Sequence, residues 1–179
     1  MEPTCRNERT SGEWTYETCI GESGRMSVRI LKSSSPEPDV VLPEEIDGMS
    51  VTWIGARAFI EAPIRKVRFP DTLVGIEAEA FLGCRRLAEI RLPSSLRIVR
   101  NDAFRGCRSL IRVDFPEGLM EIGTVDPKRR SARPGGAFED CTRLVDVHIP
   151  DSVVVMAKNS FKGCTNLKSI RMPRHIIPI

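Results

Sequence analysis

The sequence predicts a solenoid: an open right-handed coil of about five 23-residue repeats, mostly β with short 3-10 or helical turns, capped at its N-terminal side by a β-hairpin. Three observations predict it. Phenylalanine recurs at Phe59, Phe81, Phe104, Phe138 and Phe161, in steps of 22, 23, 34 and 23 residues, so the unit is 23 with one deletion and one insertion of 11. Cysteine stands three residues after four of these rings, at Cys84, Cys107, Cys141 and Cys164. A short alternating run follows each time and ends at a proline, which cannot donate to a sheet ladder. One such coil cannot bury its apolar face alone, whereas stacked coils share their columns. Parallel strands repeat at about 4.8 Å, so five coils extend roughly 24 Å.

In chain order, residues 1–12 read as a disordered tail. Residues 13–57 read as a β-rich cap and lead-in, with EWTYETCIGESGRMSVRIL forming the hairpin. Residues 58–179 carry the repeats. In one unit the inward positions are Ala80, Phe81, Cys84, Leu87, Ile90, Leu92, Leu96 and Val99. Pro93 stops the strand, and polar pairs turn the chain: Asp71-Thr72, Ser94-Ser95, Glu117-Gly118 and Asp151-Ser152. A second extended run reaches Ile76, Val99, Ile122 and Met156, after which a tight turn or single helical turn brings the next Ala-Phe pair inward. The insertion, at about 124–135, contains VDPKRRSARPGG and reads as a mobile surface loop.

Length and composition bound the function classes. The chain has 179 residues, 41% hydrophobic and 28% charged, with a net charge of +3, which suits one cored domain and leaves any charged partner to local clustering. No run approaches the ~18 apolar residues of a membrane span. MEPTCRNERTSGEW has no apolar core, so a cytoplasmic chain is expected if the sequence is full length, and a surface or secreted one if a leader was removed.

Nothing in the pattern assembles chemistry. The four cysteines share one offset and are expected to be free core thiols, because a linear column cannot give tetrahedral zinc ligation and rarely gives a disulfide torsion. Cys5, in the tail, and Cys19, at the end of a cap strand, have no partner that spacing singles out. His148 and His175 stand without a neighbouring nucleophile, and no phosphate loop or paired-carboxylate motif occurs. The expectation is a non-enzyme with no catalytic residue, metal or cofactor.

The unit resembles the BspA-type leucine-rich repeat, whose pattern is close to I-x-x-P-x-S-V-x-x-I-G-x-x-A-F-x-G-C-x-x-L-x-x-I. AFLGCRRLAEIRLPSSLRIVRND, AFRGCRSLIRVDFPEGLMEIG, AFEDCTRLVDVHIPDSVVVMAKN and SFKGCTNLKSIRMP carry the resemblance, and VVLPEEIDGMSVTWIGARAF resembles that family's lead-in. The similarity covers roughly residues 13–175. It departs at Ala62-Pro63, read as replacing Gly-Cys in the first coil, and at the insertion. The resemblance implies a protein-binding module, often on cell surfaces.

Function is therefore expected on the outer walls. On the concave strand face, one column runs Lys66, Glu89, Arg112, Asp146, Ser169 and alternates in sign. The other runs Arg68, Arg91, Asp114, His148, Arg171, where Arg68 beside Arg91 is either a solvated pair or a site for an acidic partner. After each repeat proline, Val74, Ile98, Met120, Val154 and Val155 form an apolar stripe that is either a contact surface or partly turned into the core. Ile176, Ile177 and Ile179 either promote self-association or fold back as a cap. Lys128, Arg129, Arg130 and Arg133 add a basic loop that suits an acidic partner or polyanion, although the lack of interleaved aromatics argues against nucleic acid. The expected partner is a protein, including a second copy of this chain.

Overall fold

The computed structural model describes residues 3–21, 24–35, 37–125 and 135–179. Alternation with period two produces short strands, and proline and the polar pairs cut them to two to four residues in the coils after Ile54. The main run of each coil forms one parallel sheet: β4 (Asp39–Val41), β7 (Lys66–Arg68), β9 (Glu89–Arg91), β11 (Arg112–Asp114), β13 (Asp146–His148) and β15 (Ser169–Arg171). The post-proline run forms the opposite wall: β6 (Met49–Ile54), β8 (Gly75–Ile76), β10 (Ile98–Arg100), β12 (Glu121–Thr124), β14 (Val155–Met156) and β16 (Ile177–Pro178). This wall continues into the cap through β3 (Met26–Ser33), β2 (Trp14–Ile20) and β1 (Thr4–Ser11), while β5 (Glu45–Ile46) pairs beside β6. β4 is a rung of the main sheet, so the lead-in is itself a coil and the stack has six. Among the described residues no helix occurs, and turns bring each Ala-Phe pair inward.

The core is built from columns. Phe59, Phe81, Phe104, Phe138 and Phe161 stack face to face, with centroids 5.0, 5.2, 5.2 and 5.6 Å apart and planes within 8° of parallel. Phe69 and Phe115 meet the stack edge-on, at 5.7 Å from Phe81 and 5.4 Å from Phe138. Leu73, Leu96, Leu119 and Val153 fill the next column, and Ile76, Val99, Ile122 and Met156 the one after, all buried. Polar groups are satisfied between coils as well. Thr72, Ser95 and Ser152 each donate a hydroxyl hydrogen bond to a carbonyl of the preceding coil, on Val51, Leu73 and Leu119.

The structure corrects the sequence reading in the cap and in the first coil. Thr4–Ser11 is not a loose tail but β1, antiparallel to β2, with Cys5 opposite Cys19 and the two joined in a disulfide. β1 is polar on both faces, so period two gave no signal. In the first coil it is Glu61-Ala62, not Ala62-Pro63, that replaces Gly83-Cys84. Glu61 and Gly83 both adopt positive φ, and the amide of each donates the same inter-coil backbone bond, to the carbonyls of Leu82 and Arg105. In the last coil, β16 forms the post-proline rung and pairs with β14. The basic loop residues Lys128, Arg129, Arg130 and Arg133 lie outside the described residues.

Candidate interaction surfaces

The main strands are three residues long, and all but β15 bury the central residue and expose two; in β15 the central Ile170 is itself 39% exposed. Val67, Ile90, Val113 and Val147 point inward, and the outward residues stand in two columns. Register places Asp39, Lys66, Glu89, Arg112, Asp146 and Ser169 side by side in the first. Opposite charges on adjacent rungs stabilise such a ladder by roughly 0.2–1 kcal/mol per pair. Ser169 Oγ donates to Asp146 at 2.7 Å, and Arg65 grips Asp39 through two bonds of 2.9 and 3.0 Å, holding that carboxyl below its ordinary range.

The second column behaves differently. Arg68 lies beside Arg91 in register, and Arg91 beside Asp114, yet among the described residues neither arginine forms an ion pair. Val41, 64% exposed, stands on the other side of Arg68, and His148 stands beside Arg171. Two open depressions lie on this face. One, of about 530 Å³, is bordered by Lys66, Glu89, Arg91, Ile111, Arg112 and Asp114; the other, of about 560 Å³, touches both Arg68 and Arg91. The exposed Ile111 and Val41 on this wall were missed in the sequence, because each follows an ordinary apolar offset by a single residue.

On the opposite wall the apolar stripe exists. Met120 is 47% exposed and Val154 42%, and the Val154 amide bonds to the Met120 carbonyl, so they occupy consecutive rungs. The Ile177 amide bonds in turn to Val154, which adds a third apolar rung at 63% exposure. Val74, Ile98 and Val155 are half-buried alongside. Neither stripe position turns into the core, because Leu119 and Ile122, or Val153 and Met156, already fill it from either side. Arg97 does not break the stripe: its guanidinium folds back onto the Ser94 and Leu96 carbonyls at 2.8 and 3.1 Å. Ile176 packs against the core, whereas Ile179 is exposed.

One buried side chain on this wall had no sequence signal. The Trp53 ring lies flat over Gly75, where an added Cβ would come within 2.2 Å of it. Gly75 is therefore the bare floor on which Trp53 rests.

The thiols are buried within the coils. Cys84, Cys107, Cys141 and Cys164 are free, and each donates to the carbonyl of the previous coil's phenylalanine, at 3.0, 3.3, 3.2 and 3.2 Å. Burial pushes Cys84 up to about 12 and Cys164 to about 11, and raises Cys107 and Cys141 as well. A thiolate nucleophile is thus strongly disfavoured. Among the described residues no cluster of His, Cys, Asp and Glu could hold a metal, and no helix is long and apolar enough to cross a membrane.

Comparison with known proteins agrees with this geometry. The profile of a family described as the BspA type leucine rich repeat region matches residues 45–125 and 133–179 in six copies. No curated protein matches the sequence. Among solved structures, a leucine rich repeat protein of T. pallidum is 27% identical with a TM-score of 0.74, covering 96% of this chain and 86% of that one. A leucine rich cell surface protein of Faecalibacterium prausnitzii is 26% identical with a TM-score of 0.72; 94% of this chain aligns, but with only 43% of that longer one. The pneumococcal vaccine antigen PcpA shares the fold at 18% identity and a TM-score of 0.59, over 97% of this chain and 50% of its own.

Proposed function

Because the chain belongs to the BspA-type leucine-rich repeat family, whose fold suits protein interaction, we propose that it is a non-enzymatic protein-interaction scaffold that self-associates through its apolar flank. The observation that carries this reading is the run of exposed Met120, Val154 and Ile177 on consecutive rungs. Contiguous exposed apolar surface marks contact sites on soluble proteins, and the same rung is polar in other coils, at Thr52 and Arg97. Light scattering across a concentration series tests it. The wild type is expected to gain mass with concentration, and Met120→Asp with Val154→Asp to stay monomeric. Equal masses for the two proteins at every concentration would refute it.

A second reading rests on Arg68 and Arg91, adjacent, exposed and without an ion-pair partner among the described residues. It makes the strand face a binding site for an acidic protein segment, with attraction that falls steeply with salt. Retention of binding in Arg68→Ser plus Arg91→Ser would remove this reading.

The working compartment in this proposal is an oxidising one. The Cys5–Cys19 disulfide supports it, since such bonds persist outside the reducing cytosol, and the F. prausnitzii neighbour is described as a cell surface protein.

A further inference from the structure

We propose that the turn ridge following the cysteine column, formed by Arg85, Arg86, Arg108 and Arg143, is a binding site for a sulfated or carboxylated polysaccharide. These four arginines come from three successive coils and are all exposed. Coil spacing is fixed by the phenylalanine stack at 5.2 Å per step, so the three coils that bear these four arginines lie within about 10 Å along the solenoid axis. Among the described residues none of them has an ion-pair partner. Several arginines elsewhere on the coils do, Arg57 with Glu79, Arg65 with Asp39 and Arg105 with Asp102, while Arg68 and Arg91 on the strand face do not.

The ridge borders a shallow trough. Gly83 and Gly106 carry no side chains, and the Gly106 backbone lies directly over that of Gly83, so bare backbone forms the floor. An open hollow of about 410 Å³ lies at one end of it, between Gly83, Arg85, Arg86 and the first coil's Glu61-Ala62-Pro63. Carboxylates close the trough at both ends, Glu61 in the first coil and Asp140 at the same offset as Gly83 and Gly106 in the Arg143 coil, so the ligand lies along the arginine ridge and not over these ends.

The chemistry of the ridge selects among anionic polymers. Its other exposed or half-exposed positions are Ser109, Thr142, Thr165 and Asn166, all hydroxyl or amide groups. Among the described residues it has no aromatic face on which bases could stack, which nucleic-acid grooves use, and no apolar anchor of the kind that dominates protein interfaces. A row of guanidinium forks with hydroxyls and amides between them suits a chain of sulfate or carboxylate groups set among sugar hydroxyls.

The test uses the full chain and a heparin oligosaccharide as the sulfated probe, with poly-glutamate and a single-stranded oligothymidine as competitors. Titration calorimetry at two salt concentrations is expected to show salt-sensitive binding of heparin, at least ten-fold weaker for oligothymidine and poly-glutamate. Arg85→Ser, Arg86→Ser and Arg108→Ser together are expected to weaken heparin binding at least ten-fold, while Lys32→Ser plus Lys158→Ser, exposed cations away from the ridge, leaves it within two-fold. Absence of wild-type binding, equal affinity for either competitor, or an undiminished triple variant with a wild-type melt would each overturn the assignment. Circular dichroism on the triple variant separates lost folding from a lost site; should it unfold, Arg143→Ser and Arg108→Ser taken singly serve as the readout.

Discussion

At the scale of single residues, the fold sets its own constraints and each can be tested. Gly75 has no side chain because Trp53 occupies the space where one would stand. Gly75→Ala is expected to cost about 1–3 kcal/mol in urea unfolding, the usual range for overpacking, and Trp53→Leu in the same chain to recover part of it. Glu61 sits at the left-handed position that Gly83, Gly106 and Gly163 fill in other coils. Glu61→Gly is accordingly expected to raise stability by about 0.5–1 kcal/mol. Asp102 supplies a pH signature: burial raises its carboxyl above the ordinary value, with Asn101 and Arg105 acting in the other direction. A raised value in the folded state means the proton is held more tightly there than in the unfolded chain. That contribution is complete below the ordinary carboxylate range and is lost as pH rises through the folded value. Asp102→Asn is expected to exceed the wild type in stability at neutral pH, and the difference to shrink on acidification; a pH-independent difference would show that Asp102 does not titrate in this way.

At the scale of elements, the repeat was legible wherever one coil predicts the next. The phenylalanine and cysteine columns, the alternation of the main strand and both of its outward columns follow from spacing alone, since an in-register stack leaves each offset one place to go. What escaped is whatever lacks a repeating neighbour. β1 is polar on both faces and pairs through its backbone, so neither it nor the disulfide to Cys19 had a periodic signal. The first coil was misaligned by one residue because its single deletion falls beside Pro63, and only the backbone bonds reveal which residues face Gly83 and Cys84. The flank stripe was visible as a pattern, but whether it leaned inward depended on how fully Leu119, Ile122, Val153 and Met156 fill the core. The cysteine assignment has a direct consequence. A thiol-reactive disulfide reagent is expected to label no cysteine in the native protein, four after unfolding without reductant, and six after reduction. Labelling of the native chain would mean that the column is open to solvent.

For the whole molecule, the stack transmits stability along its axis, because each coil buries its apolar face only against its neighbours. Phe104→Ala, in the middle of the stack, is expected to cost about 3–5 kcal/mol, and Phe161→Ala, whose ring is half-exposed, distinctly less. A core closed in this way leaves recognition to the walls, and the walls differ: charged columns and unpaired arginines on the main sheet, apolar rungs on the other. The most direct measurement is hydrogen exchange, read by mass spectrometry, on dilute and concentrated wild-type protein. Slower exchange at high concentration across 119–124 and 153–157, with the main strands β7, β9 and β11 unchanged, is the predicted result. Identical exchange at both concentrations, or protection confined to the main strands, would contradict a flank that binds.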